Sequence, residues 1–197
     1  MSGVSGVSGM EEVNVLYDRF KSKLEAVSGE CYRAQNAAEA QELICQLLQK
    51  KGIHSVAMVD SPLAKECDLA NVLPKNGISL HMDNYQEVTS TVEAGITEMK
   101  WAIAELGTLV QYAVDVNERL CSAFTPIHFA LVKSSALLST LPETLSVIHN
   151  EPQIPGFIGF ITGPSRTSDI ERVLTIGVHG PGELIAIFVD DSVEEGK

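Results

Sequence analysis

The chain has 197 residues, 45% of them hydrophobic, and a net charge of −12 from 26 acidic and 14 basic side chains. That length and composition fit one domain with a sizeable core. The acidic balance argues against nucleic acid or an anionic membrane as main partner, and no run nears the roughly 20 apolar residues that span a bilayer. The four cysteines, Cys31, Cys45, Cys67 and Cys121, form no C-x-x-C element. Neither zinc nor an iron–sulfur cluster is therefore expected in this chain alone. With no secretory signal in view, a cytoplasmic protein with reduced cysteines is the expectation.

Residues 1–10, with the SGVSGVSG repeat at Ser2–Gly9, read as a flexible tail ahead of a single α/β domain over 11–197. Val13, Leu16, Tyr17, Phe20, Leu24 and Val27 have helical spacing, and Gly29 ends that helix. Asn36–Lys51 is a second helix, with Asn36 as cap, Glu39 as its capping-box partner and Gly52 as stop. Ser55–Val59 follows as a short buried strand, Ser61-Pro62 opens a third helix, and Ile78–Met82 is the next strand. This order suggests a parallel α/β unit, and no G-x-G-x-x-G follows its first strand, so the dinucleotide fingerprint is absent.

Tyr85–Thr97 reads as a helix through Val92 and then a turn at Gly95. Apolar Trp101–Ala104 leads into Glu105-Leu106-Gly107-Thr108 and a strand, Leu109–Ala113. Glu105 and Gly107 are there either a site element or a hairpin turn in which Gly107 takes a positive φ. Glu118–Thr125 reads as a loop, Ile127–Val132 as a strand, Thr140 to His149 as a helix and Glu151–Gly156 as a proline-rich loop. Phe157–Ile161 and Leu184–Val189 complete six strand-like runs, expected to share one sheet covered by helices. The acidic tail Asp190–Glu195 is expected to be solvated.

The unusual chemistry lies in Thr162–Pro181, TGPSRTSDIERVLTIGVHGP. Glycine lets a backbone approach a ligand, the hydroxyls and N–H groups of Ser165–Ser168 suit an anion, and Arg166 suits a carboxylate or phosphate. The alternative is a turn in which Ser168 or Thr167 caps a short helix through Asp169–Val173, with Glu171 as capping-box partner to Ser168. Glu105 and His179 are the obvious proton acceptors and so the candidate catalytic residues. Gly107, Thr108, Gly163, Ser165, Arg166, Thr167, Asp169 and Gly180 are the candidate substrate-binding residues, and no metal site is expected. Open α/β sheets hold ligands beyond the carboxyl ends of their strands. The Glu105–Thr108 loop, the Gly163–Asp169 loop and the turn from Gly177 through His179 are expected to meet there, with an anion on Arg166.

GPSRTSDIE followed by GVHGP resembles the C-terminal signature of the lactate utilisation protein C family, the LUD domain, with Ser168 where alanine is usual. AIAELGTLV at Ala102–Val110 is similar to that family's A-x-A-E/D-T-G-T-L-V, with Leu106 in place of threonine, and Pro126-x-His128 is similar to its P-x-x-H, with the histidine one place early. The resemblance covers Ala102–Asp190. It implies a three-layer α/β/α sandwich with a mostly parallel open sheet, NagB/RpiA/CoA-transferase-like. It also implies a place in bacterial oxidation of L-lactate to pyruvate, beside two iron–sulfur partner subunits. The chain would carry no redox cofactor itself, with clusters only in the partners, and would bind those subunits or a small carboxylate or phosphate anion. The alternative is a stand-alone isomerase/CoA-transferase-like enzyme acting on a phosphorylated or acyl substrate, with Glu105 as base or nucleophile. A third reading is a structural interaction protein whose loops form a docking surface.

Overall fold

Two runs, Ile127–Lys133 and Glu183–Val189, are apolar at almost every position, as strands buried on both faces of a parallel sheet must be. The computed structural model describes residues 5–170, 173–176 and 180–191, with side chains over 11–166 and 180–191, and it places both runs at the centre of such a sheet. The first half of the chain is α1 (Ser5–Ala26), β1 (Glu30–Ala34), α2 (Ala37–Lys50), β2 (Ser55–Met58), α3 (Pro62–Glu66), α4 (Leu69–Lys75), β3 (Ser79–His81), α5 (Tyr85–Val88) and β4 (Ala94–Glu98). The second is β5 (Trp101–Ile103), β6 (Thr108–Ala113), α6 (Val116–Phe124), β7 (Ile127–Lys133), β8 (Leu137–Leu138), α7 (Leu141–His149), β9 (Phe157–Ile161), β10 (Arg166–Ile170), β11 (Val173–Ile176) and β12 (Glu183–Val189). No described helix is long and apolar enough to cross a membrane.

The large sheet has the order β1-β12-β7-β4-β2-β3, and every pairing in it is parallel. Alternation along each strand sorts its side chains between two cores. Phe129, Leu131, Ile185 and Ile187 pack with Ile44, Leu48, Leu63 and Leu69 of α2–α4. Ala130, Val132, Ala186 and Phe188 meet Phe20 and Leu24 of α1 on the other face, where Ala57, Tyr85 and Cys121 also bring in α5 and α6. Helices on both faces of a parallel sheet give the expected α/β/α arrangement. Each fully buried Leu, Ile or Phe here contributes roughly 1.5–3 kcal/mol of burial. The caps follow the sequence. Asn36 Oδ1 accepts the Glu39 N–H at 2.9 Å, and Thr140 and Glu143 form a capping box on α7.

The single sheet is a correction. Leu109–Ala113 and Phe157–Ile161 leave the parallel sheet and pair antiparallel in a second one, ordered β8-β5-β6-β9. Over β5 and β6 that sheet is also covered on both sides, while β9 keeps part of its surface exposed. Trp101, Ile103 and Val110 meet Ile148 of α7 on one face, and Ala102 and Leu109 meet the α1 core on the other. Its strands therefore carry the same unbroken apolar pattern, which cannot tell the two sheets apart.

Gly95 is not a turn but lies within β4, paired with Ala57 and His128. A Cβ there would stand 2.3 Å from the Cys121 carbonyl oxygen and 2.6 Å from Thr125 Oγ1. Glycine lets α6 settle on the sheet. Glu118–Thr125, expected as a loop, is most of α6, started by a capping box of Asp115 and Glu118. The helix buries only Cys121 and Ser122, too few apolar positions to show a helical period. β1 and α4 were not expected, and α1 begins at Ser5, inside the stretch read as a tail. Helical bonding continues there beyond the packed turns around Phe20 and Leu24. The Asp169–Val173 helix capped by Ser168 is replaced by a β10–β11 hairpin, with Arg166 opposite Ile176 and Thr167 opposite Thr175; β-branched residues such as these favour strands. Asp190 is not a solvated tail residue, because it accepts from Arg33 Nε at 2.7 Å. Glu171, Gly177 and residues 192–195 lie outside the described residues.

Candidate functional site

The two glycine turns singled out in the sequence both rest on α1. Gly107 closes the β5–β6 hairpin with φ +64, and a Cβ on it would lie 2.5 Å from the Leu24 amide nitrogen. Gly163, at φ +74, would place a Cβ 2.9 Å from Val27 Cγ2. Each position thus needs glycine twice over, for its backbone conformation and for the approach of α1. The Thr108 and Thr162 hydroxyls share a 2.6 Å hydrogen bond between the turns.

Arg166 belongs to the same corner. Its Nη2 donates to the Val27 carbonyl at 2.7 Å and to Ser28 Oγ at 2.9 Å. The last carbonyls of a helix lack intrahelical partners, and a cation there also meets the negative end of the helix dipole. The structure sets Arg166, through its Nη2, as a clamp on the end of α1. Glu105 is half-buried in the hairpin turn, its N–H on the Ser139 carbonyl at 3.1 Å. The side chains of Thr167 and Asp169 lie outside the described residues, as does His179 altogether.

Gly163, Ser165 and Gly180 do come together, on one rim of a cleft of about 490 Å³. The Ser165 N–H donates to the Pro181 carbonyl at 2.8 Å. Gln111 of β6 and Phe157, Gly159 and Ile161 of β9 line the cleft from the second sheet, and α6 adds Arg119, Ser122 and Ala123. His128 and Leu184, the second residues of β7 and β12, line it from the parallel sheet. The cleft thus lies at the amino ends of the central strands, not beyond the carboxyl ends as expected. The carboxyl ends carry ion pairs instead, Arg33–Asp190 at 2.7 Å and Lys133–Glu66 at 2.6 Å, with Ser134 Oγ also donating to Asp190.

His128 is the unusual group. It is fully buried, and its Nε2 shares a 2.8 Å hydrogen bond with Thr97 Oγ1. Its Nδ1 has no hydrogen-bond partner among the described residues. A buried polar atom left so costs about 1–3 kcal/mol, and this one belongs to a cleft-lining residue. Burial pushes the imidazole pKa down to about 4, so the ring is neutral at pH 7. Beside it, Gln111 is locked. Its Nε2 donates to the Glu118 carbonyl, and its Oε1 accepts from Ser122 Oγ, each at 3.0 Å. The Arg119 guanidinium stands 5.0 Å over the Phe157 ring. No carboxylate lines the cleft among the described residues, in a chain of net charge −12. The buried thiols are unreactive: burial pushes Cys31 and Cys121 up to about 12 and Cys67 up to about 11.

Sequence reasoning placed Ser165, Gly163 and Gly180 at a site and missed Arg119, Ser122 and Gln111. The capping box Asp115-Val116-Asn117-Glu118 was the available signal. It marks α6, and a helix there puts Arg119 and Ser122, three apart, on one face.

A family model described as the LUD domain matches residues 17–189. A lactate utilization protein C of Geobacillus sp. (strain WCH70) is 28% identical over 188 residues, covering 85% of this chain and 78% of that one. A protein of the same name from Shouchella clausii (strain KSM-K16) is 28% identical over 195 residues, covering 91% and 85%. The crystal structure of a DUF162 family protein from Deinococcus radiodurans shares the fold, with a TM-score of 0.58 at 17% identity over 90% of this chain and 98% of that one. With the model matched across nearly its whole length, the chain belongs to the LUD domain family.

Proposed function

We propose that the chain is a subunit of a bacterial lactate utilisation system, cytoplasmic and without a redox cofactor of its own, whose cleft binds a small carboxylate. The observation that carries the binding role is the cleft itself: an arginine, a buried imidazole with an unmet nitrogen, and no lining carboxylate among the described residues. The pathway is supported by likeness to two proteins named lactate utilization protein C. A carboxylate takes the Arg119 guanidinium, and a hydroxyl or carbonyl oxygen meets His128 Nδ1. Thr97 Oγ1 can donate to or accept from Nε2, so the ring can offer Nδ1 as donor or acceptor. An imidazole whose pKa lies near 4 is a poor general base at neutral pH, so the cleft positions its ligand. Electrons from lactate then pass through partner subunits carrying iron–sulfur clusters. Glu105 stands outside the cleft, which withdraws support from a stand-alone isomerase- or transferase-type enzyme that uses it as base or nucleophile.

Isothermal titration of the purified chain with L-lactate and pyruvate tests the binding role. Arg119→Gln should weaken binding tenfold or more at unchanged melting temperature, and equal affinity in the two proteins would sink the assignment. Co-purification with iron–sulfur proteins of the same cell tests the partners, and a chain recovered without them under anaerobic lysis would count against that part.

A further inference from the structure

The cleft is larger than a three-carbon acid needs. Lactate has six heavy atoms and fills at most roughly 180 Å³, taking about 30 Å³ for each from the packing of liquid water. The cleft holds about 490 Å³, within the range of pockets that enclose much larger organic molecules. Its lining is also sorted by polarity. Phe157 and Ile161 stand on the cleft-facing side of β9, where Gly159 leaves room for the Phe157 ring: a Cβ there would lie 2.9 Å from that ring. With Leu184 they form an apolar wall. Phe157 keeps 38% of its surface exposed, a high value for a phenylalanine beside a cavity. Gln111 pairs with Ser122 and the Glu118 carbonyl, and among the described residues His128 Nδ1 is the buried side-chain polar atom without a partner. Arg119 supplies the one lining cation of fixed charge among the described residues.

We infer that the cleft prefers an aryl-bearing hydroxy or oxo acid to lactate. The ligand's acidic group lies at Arg119, its ring against Phe157, Ile161 and Leu184, and its hydroxyl or carbonyl oxygen at His128 Nδ1. This inference rests on the reading of the cleft as a carboxylate site and narrows that reading to a substrate class.

The full chain is titrated with L-lactate, phenyllactate and 3-phenylpropionate, the last lacking the hydroxyl. Phenyllactate should bind at least tenfold more tightly than lactate, and more tightly than 3-phenylpropionate. Phe157→Ala, at a partly exposed position, should remove most of the advantage over lactate. His128→Asn should remove the discrimination between phenyllactate and 3-phenylpropionate, a change that a merely structural histidine would not cause. Lactate binding as tightly as phenyllactate would overturn the inference and leave the carboxylate site standing. Failure of all three acids to bind would overturn both.

Discussion

Acid should destabilise this protein through one identifiable ring. In the folded chain the His128 imidazole is held neutral by burial, with its pKa near 4 against an ordinary value of 6.5. Between those values the unfolded chain binds more protons than the folded one, so stability rises with pH across that window. It is flat above 6.5, where the ring is neutral in both states, and the contribution is wholly lost below about 4. The difference of 2.5 pH units, at about 1.4 kcal/mol each, makes a total of roughly 3 kcal/mol, of which about 2 kcal/mol is lost between pH 7 and pH 5. Urea unfolding at pH 7, 6 and 5 measures this against His128→Leu. That variant removes the titration and leaves Thr97 Oγ1 without its 2.8 Å partner, which costs about 1–3 kcal/mol at pH 7. Carboxylates titrate alike in both proteins, so the difference between the two curves isolates the ring. The wild type should lose about 2 kcal/mol more than the variant on going from pH 7 to pH 5. Parallel curves would refute the reasoning, as would an NMR titration that finds the imidazole protonating near 6.5.

Arg166→Ala removes two hydrogen bonds to the end of α1. Because the side chain is exposed, stability should fall by no more than about 1 kcal/mol, with ligand affinity unchanged in calorimetry; a tenfold loss of affinity would assign Arg166 an anion-binding role. Gly95→Ala drives a methyl into the Cys121 carbonyl, 2.3 Å from the new carbon, and should cost about 3 kcal/mol in chemical denaturation, at the upper end for overpacking. An unchanged midpoint would mean that α6 does not sit on β4 as described.

The sequence by itself determined the parts that depend on neighbours in the chain. Asn36, Ser61 and Thr140 announced three helix starts because a cap needs only the next three residues. The apolar runs at Ile127–Val132 and Leu184–Val189 announced strands buried on both faces, and Gly107 announced its own positive φ. The Thr162–Pro181 motif identified the family and one rim of the cleft. Only the tertiary structure decided what those residues face. Arg166 reads as an anion ligand in any linear view, and it clamps a helix because Val27 and Ser28, some 138 residues away in the chain, end α1 beside it. Gly95 reads as a turn until α6 is laid across β4. Two sheets with the same apolar pattern cannot be separated without knowing that α7 covers one of them. The unmet nitrogen of His128 has no local signature, because whether a polar atom lacks a partner depends on every chain segment that packs around it.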